Sequence, residues 1–171
     1  AVAVELNLLR ATFVRRYRRF FTDRRSASGE TLVAHCANTG SMSTLLHEGL
    51  GSWLSEDRNP ARKLRFSLQL LETPHGGLAM VNTALTNRIV LEGIDQGLCR
   101  ELSGYDSRKA EVVAAPGTRF DIAFYRADDP DPACFVEIKN VSMMGKDRSG
   151  RADFPDARTE RGRRHLDQLT A

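Results

Sequence analysis

The stretch R-F-D-I-A-F-Y (119–125), R-A-D-D-P-D-P-A (126–133), C-F-V-E-I-K-N-V (134–141) decides how the rest of the chain is read. It predicts two strands joined by a polar loop that Pro130 and Pro132 break. In the first strand Phe120, Ile122 and Phe124 alternate with Arg119, Asp121 and Ala123. In the second, Val136 and Ile138 alternate with Glu137 and Lys139. Side chains two apart on a strand share a face about 6–7 Å apart, so Glu137 and Lys139 stand side by side. Asp121 lies opposite its own strand's apolar stripe, and pairing the two strands gathers all three groups. Two carboxylates and an ammonium on a sheet face suit Mg²⁺, which takes one or two carboxylates and keeps several waters. Such an ion lowers the pKa of a bound water, while the lysine orients the hydroxide or offsets transition-state charge.

An acid-x-lysine pair also occurs on plain exposed strands as half of a cross-strand salt bridge, and that reading stands beside the first. Two details set this pair apart. Of 25 basic residues only Lys63, Lys109, Lys139 and Lys146 are lysines, and only Lys139 follows an acid by two. An arginine is too large and too committed to bidentate pairing to replace a compact ammonium beside a metal.

At 171 residues the chain makes one domain or two small ones, and its 41% hydrophobic and 27% charged content is that of a globular protein. Cys36, Cys99 and Cys134 are far apart, which argues against a disulfide framework or a zinc site and for a reducing, cytoplasmic setting. The opening A-V-A-V-E-L-N-L-L-R is too polar for a signal peptide. With no 18-residue apolar run, no membrane span is expected.

The formal net charge is +3, yet seven arginines fall between Arg10 and Arg25 against one acid, Asp23. Residues 8–21 (L-L-R-A-T-F-V-R-R-Y-R-R-F-F) lean to strand. Arginines interleaved with rings suit nucleic acid, because guanidinium neutralises phosphate and rings stack on bases. A curved barrel strand with an arginine-rich solvent edge explains them equally. S-A-S-G-E reads as a turn, T-L-V-A-H-C as a strand, and A-N-T-G-S-M as a tight turn. There Asn38 and Gly40 either bind an anion through a nest of amides or simply make the turn. Residues 50–55 and 64–72 read as strands around the basic loop E-D-R-N-P-A-R-K, which contains Arg62 and Lys63. Several short strands before residue 75 predict a small barrel of the oligonucleotide-binding (OB) kind.

His75-Gly76-Gly77 reads as a joint. After it L-A-M-V predicts a strand, and Asn82 or Thr83 caps a helix over 84–98. That helix carries Val90, Leu91, Ile94 and Leu98 on one side, with Glu92 nearly opposite and so solvent-exposed by default. Residues 110–115 form a further strand before the Pro116-Gly117 turn. Past Val141, S-M-M-G-K-D-R-S-G-R-A-D-F reads as a flexible loop. Then A-R-T-E-R-G-R-R-H-L-D-Q-L (157–169) reads as a basic helix with Leu166 and Leu169 as anchors. Its Arg158, Arg161, Arg163, Arg164 and His165 make either a second basic surface or an ordinary solvated face.

The chain resembles the sugar fermentation stimulation protein A (SfsA) family along nearly its whole length. The matching stretches are R-R-Y-R-R-F (15–20), A-H-C-A-N-T-G-S-M (34–42), N-P-A-R-K-L (59–64) and V-N-T-A-L-T-N-R (81–88). They continue with L-S-G-Y-D (102–106), R-F-D (119–121), V-E-I-K-N-V (136–141), F-P-D-A-R-T-E-R-G (154–162) and H-L (165–166). The resemblance implies an α+β or α/β architecture: an OB-like nucleic-acid-binding barrel over residues 1–75, then a mixed αβββα, restriction-endonuclease-like domain over 76–171. In the PD-(D/E)xK nuclease pattern that it implies, Asp121 is the motif aspartate, Glu137 and Lys139 are the E-x-K, and Glu92 is a helix-borne acid completing the metal set. The implied cofactor is Mg²⁺ or Mn²⁺ and the implied partner DNA or RNA, held mainly by its backbone. Arg15, Arg16, Arg18, Arg19, Asn38, Arg62, Lys63, Arg161, Arg164 and His165 are the residues expected to hold it.

The chain departs from the family at Ala37, where proline is common, and at Arg163, where glutamine is often found. Relatives also continue past the H-L helix with more sheet-forming sequence, so the chain reads as a fragment lacking its last strands. The open edge left behind invites association, as in a homodimer. Three functions follow: a metal-dependent nuclease, a non-catalytic DNA-binding regulator tied to sugar (maltose) metabolism, or a module whose basic surface meets an acidic protein.

Overall fold

The structure, a computed structural model, describes residues 4–145, 151–154, 160 and 163. The chain divides into two compact units. One comprises Glu5–Ala84 with Asn140–Ala157, the other Ala1–Val4, Leu85–Lys139 and Arg158–Ala171.

The first unit is a barrel. Its strands are β1 (Leu8–Tyr17), β2 (Phe21–Arg25), β3 (Thr31–His35), β4 (Gly51–Glu56), β5 (Phe66–Glu72) and β6 (Leu78–Met80). They line up as β3-β2-β1-β4-β5-β6, and β3 also pairs with β5 in parallel, Ala34 against Phe66 and His35 against Ser67. That last pairing closes five strands into an OB-like barrel, with β6 added outside β5. Alternation fills the interior with Ala11 and Phe13 of β1, Leu32 and Ala34 of β3 and Leu54 of β4, and a register shift between β4 and β5 lets both Leu68 and Leu71 of β5 join them. Cys36, Met42 and Leu45, from the segment after β3, complete this core.

Residues 8–21 are not one strand. β1 ends at Tyr17, and Arg18-Arg19-Phe20 turn the chain back so that Phe21 pairs with Tyr17. Arg18 and Arg19 take positive φ, 47° and 60°. Nothing in their chemistry announces this, since Gly, Asn and Asp are the usual occupants of that region. The turn is held by Phe20 N–H donating to Arg18 O (2.7 Å) and Cys36 N–H donating to Phe20 O (2.8 Å). A register shift between Phe13 and Arg15 marks a bulge in β1.

The joint expected at residue 75 falls inside the barrel unit, because β6 pairs with β5. A buried polar chain leads out of it. Asn82 Nδ2 donates to Gln69 Oε1 (2.8 Å), Gln69 Nε2 to Ser55 Oγ (2.7 Å), and Asn82 Oδ1 accepts Ala84 N–H (3.1 Å). Asn82 thus caps the 3-10 turn Thr83–Leu85 as its residue type predicts.

The second unit begins with α1 (Thr86–Asp95), shorter than the expected 84–98. Gly97, at φ 73°, ends it in a Schellman arrangement, with Leu98 N–H on Gly93 O and Gly97 N–H on Ile94 O. Leu98 is therefore outside the helix and 73% exposed rather than part of its buried stripe. Three antiparallel strands follow: β7 (Ser107–Ala115), β8 (Thr118–Tyr125) and β9 (Cys134–Val136), in the order β7-β8-β9. β9 stops at Val136 instead of running to Val141. The following segment is not a plain loop, since β10 (Met143–Met144) pairs with β11 (Ala152–Asp153) and belongs to the barrel unit. Met144 N–H donates to Thr44 Oγ1 (3.0 Å) and its side chain packs on the barrel core. Of the expected C-terminal helix, Glu160 and Arg163 are helical and exposed, and the rest lies outside the described residues. Among the described residues no helix is long and apolar enough to cross a membrane.

Candidate metal centre and basic face

β8 is the spine of the second unit. Phe120, Ile122, Ala123, Phe124 and Tyr125 are all buried, and Phe120 meets Phe135 of β9 with ring centroids 4.9 Å apart. Pairing of Ile122 with Val136 fixes the β8–β9 register, and β9 ends there, with Glu137, Ile138 and Lys139 following it. There the ladder gives way to a side chain: Asp121 Oδ2 accepts the Ile138 N–H at 2.7 Å. Its Oδ1 accepts Asn87 Nδ2 at 3.0 Å, from the first turn of α1.

Glu137 and Lys139 form an ion pair with each other. The Glu137 side chain is 7% exposed and that of Lys139 38%, so the acid is sheltered while the ammonium reaches water. A compact ammonium on a flexible stem makes this contact with a residue only two away. The expected pair therefore meets, on the residues either side of Ile138, whose N–H Asp121 accepts. Glu92 is occupied elsewhere, its Oε2 accepting Val4 N–H (2.7 Å) and its Oε1 accepting Gln96 Nε2 (3.0 Å). Among the described residues no three His, Cys, Asp or Glu side chains gather as metal ligands. The donor set at hand is Asp121 with Glu137, which matches the preference of a hard, oxygen-seeking divalent ion.

Several residues expected on the nucleic-acid surface have work inside the barrel. Arg16 donates through Nε to Arg19 O (2.8 Å), through Nη1 to Gly40 O (2.8 Å) and Ser41 O (3.3 Å), and through Nη2 to Asn38 O (2.6 Å). It laces the β1–β2 turn to the segment after β3. Asn38 is 4% exposed, too buried to meet a polynucleotide. Its Oδ1 accepts Gly40 N–H (2.8 Å) and its Nδ2 donates to Ser142 Oγ (3.2 Å), so the turn reading of Asn38 and Gly40 holds. Arg15 pairs with Asp23 at 2.6 Å and lies 5.1 Å from the Tyr17 ring centre. Burial first, and then a hydrogen bond to Asp23, raise the Tyr17 pKa above its ordinary value.

The β4–β5 loop frames a cleft of about 560 Å³ lined by Glu56, Asp57, Arg58, Asn59, Pro60, Arg62 and Arg65. Arg62 there binds Asp57 (2.7 Å) and Ser67 (3.1 Å), and Arg65 pairs with Glu56. The Arg62 hydrogen bond holds the Asp57 carboxyl below its usual pKa. Arg18, Arg19 and Lys63 are exposed. Arg161, Arg164 and His165 lie outside the described residues.

The family model described as the SfsA N-terminal OB domain matches residues 14–81, and that of the sugar fermentation stimulation protein RE domain matches residues 84–171. The chain belongs to the SfsA family. A curated SfsA relative, the sugar fermentation stimulation protein homolog of Ectopseudomonas mendocina, is 46% identical over 92% of this chain and 66% of its own length. That of Teredinibacter turnerae is 42% identical over 95% of this chain and 67% of its own. The chain thus spans about two thirds of the length of these relatives. A solved structure of Pyrococcus furiosus SfsA in complex with Ca²⁺ matches with a TM-score of 0.75 at 26% identity, over 99% of this chain and 69% of that one.

Sequence reasoning missed Asn87 and the Ile138 N–H as the groups that hold Asp121. The only signal for Asn87 was its place in the SfsA-like stretch V-N-T-A-L-T-N-R. A backbone donor leaves no signal at all.

Proposed function

We infer that the chain binds nucleic acid through its basic barrel and hydrolyses phosphodiester bonds in its second unit with Mg²⁺ or Mn²⁺. The observation that carries the catalytic half is the Asp121 carboxylate clamped by Asn87 and by the N–H of Ile138, the residue that Glu137 and Lys139 flank. Asp121 and Glu137 are the residues that would hold the ion. A carboxylate offers about four lone-pair sites, so two donated N–H groups leave Asp121 with acceptor capacity. The Ca²⁺ named with the Pyrococcus furiosus relative, also a hard cation taking oxygen ligands, supports a divalent site in this family. When bound, the ion would acidify a water and stabilise charge on a phosphate oxygen.

The protein's own groups do the positioning. Asn87 and the Ile138 N–H fix which way the Asp121 oxygens point, and Lys139 brings one positive charge to where phosphate oxygens become more negative. Glu92, with one N–H donated to each oxygen by Val4 and Gln96, also keeps lone pairs, but among the described residues it does not gather with Asp121 and Glu137. Exposed Arg18, Arg19 and Lys63 supply sequence-independent attraction to the polynucleotide backbone. The three free cysteines are in keeping with a reducing, cytoplasmic setting.

Incubation with Mg²⁺ or Mn²⁺ and single- or double-stranded DNA and RNA, compared with Lys139→Ala, tests the reading. Cleavage reduced about 100-fold or more in the variant supports it, and equal cleavage by both removes the catalytic assignment. One observation favours a second reading, a non-catalytic binding protein: Asp121 and Glu137 already have protein partners that explain their burial. Salt-sensitive binding with no metal-dependent cleavage would select it.

A further inference from the structure

β7 carries a strained residue close to Asp121. The β7–β8 ladder pairs Ala110 with Ile122 and Val112 with Phe120. Glu111, between Ala110 and Val112, takes φ 56°, in the left-handed region that favours glycine. Its Oε2 lies 2.8 Å from Arg119 Nε, and both side chains are about half exposed. Arg119 stands two residues before Asp121 on β8. Thr118 and Phe120 are buried on the opposite face, so Arg119 and Asp121 share theirs.

An exposed ion pair returns little stability, too little to account for a glutamate on a strained backbone, and such strain collects at functional sites. Without Glu111, the Asp121 carboxylate would be the nearest acid on the Arg119 face, and a guanidinium folded onto it would close the candidate metal centre. Glu111 draws Arg119 away by its Nε edge. The Nη1 and Nη2 groups make no hydrogen bond among the described residues. A guanidinium is a rigid planar fork. Held at one edge, it keeps a fixed plane while its remaining N–H groups stay open to a second anion.

We propose that Arg119, braced by Glu111, holds the phosphate next to the one that is cleaved. Residues two apart on a strand face are about 6–7 Å apart, close to the spacing of successive phosphates along a polynucleotide. With the reacting phosphate at Asp121, a neighbouring one therefore reaches the Arg119 fork, whose two parallel N–H groups match two phosphate oxygens. Lys139, beyond β9, stays with the reacting phosphate. Arg119 is thus a substrate-positioning residue and Glu111 the group that aims it. The inference deepens the phosphodiester-hydrolysis reading and rests on it.

Labelled DNA and RNA strands, intact or carrying one neutral methylphosphonate, provide the test. Binding is followed by fluorescence anisotropy over a salt series with Ca²⁺, and cleavage with Mn²⁺ by product length. Wild type is compared with Arg119→Ala, Arg119→Lys, Glu111→Gln and Glu111→Ala, with circular dichroism to monitor folding. In wild type a methylphosphonate suppresses cleavage of the bond on one side of it, and Arg119→Ala loses that sensitivity. Arg119→Ala raises KM about 10- to 100-fold with kcat nearly unchanged, and its binding falls less steeply with salt. Arg119→Lys restores the salt dependence but only part of the affinity. Glu111→Gln removes a negative charge but keeps an acceptor for Nε, and it binds at least as tightly as wild type. Glu111→Ala removes the charge and the acceptor together, and it binds about 2- to 10-fold more weakly than Glu111→Gln. Methylphosphonate sensitivity retained in Arg119→Ala, a fall in its kcat with KM unchanged, or Glu111→Ala binding as tightly as Glu111→Gln overturns the subsite and leaves the wider reading intact. Absence of metal-dependent cleavage by wild type overturns the wider reading and the subsite with it.

Discussion

The Asp121 carboxylate accepts the Ile138 backbone N–H at 2.7 Å, taking the place of a ladder carbonyl where β9 ends. A buried or half-buried donor left without an acceptor costs about 1–3 kcal/mol. Asp121→Ala strands both Ile138 N–H and Asn87, so urea unfolding should show a loss of about that size. Asp121→Asn keeps one carbonyl oxygen and should lose less. Equal stability of Asp121→Ala and wild type would mean the clamp is not formed in solution.

Arg24 poses the opposite problem. It is fully buried beside Phe13, 4.3 Å from the ring centre, and its three guanidinium nitrogens have no hydrogen-bond partner among the described residues. Burial lowers its pKa to about 9. A buried charge without hydrogen-bond partners is costly, and an apolar side chain of similar length removes that cost. Arg24→Met should therefore melt no lower than wild type. The sign of the pH effect follows from linkage: above about pH 9, and below the ordinary arginine pKa, the unfolded chain binds more protons than the folded one, so folded stability rises with pH. The advantage of Arg24→Met should be constant below about pH 9 and shrink above it, measured by urea unfolding at pH 7, 9 and 10.5.

Gly51 sits under a carboxylate. A Cβ placed there would lie 2.6 Å from Glu72 Oε2, the atom that accepts the Gly51 N–H at 2.9 Å. The Glu72 carboxylate is the end of a flexible side chain and can swing aside, so Gly51→Ala should destabilise by about 0.5–1.5 kcal/mol, chiefly through the loss of that bond. In a cycle with Glu72→Ala, the alanine at 51 should cost clearly less once the carboxylate is gone. Strict additivity would show that the clash is relieved elsewhere.

Arg16 ties the β1–β2 turn to Asn38, Gly40 and Ser41 through backbone carbonyls. A lysine cannot reproduce a planar fork on several acceptors. Arg16→Ala and Arg16→Lys should both lower the melting temperature, by about 2–4 °C for each kcal/mol lost. Full rescue by lysine would contradict this role.

How legible these features were follows from what each depends on. The barrel strands and β8 show in the sequence because inward and outward residues alternate over five or more positions. The meeting of Glu137 with Lys139 is also as the sequence placed it, although the pair lies past the end of β9, so it rests on a separation of two residues and not on strand alternation. The Arg18-Arg19-Phe20 turn does not show, because two arginines in a left-handed conformation carry none of the residue types that mark turns. The return of Met143–Met144 to the barrel does not show either. A two-residue pairing has no period, and the contact with Thr44 spans about a hundred residues. The role of Arg16 was hidden by its neighbours: four arginines within five positions look interchangeable in sequence, and only the fold separates the one that binds carbonyls from those left in water.

The most direct test of the central claim is Mn²⁺ binding followed by electron paramagnetic resonance, with wild type, Asp121→Asn, Glu137→Gln and Phe20→Ala. The account predicts one bound ion per chain in wild type and Phe20→Ala, and affinity lowered at least about tenfold in Asp121→Asn and Glu137→Gln. An ion bound equally well by all four proteins, or by none, would contradict it.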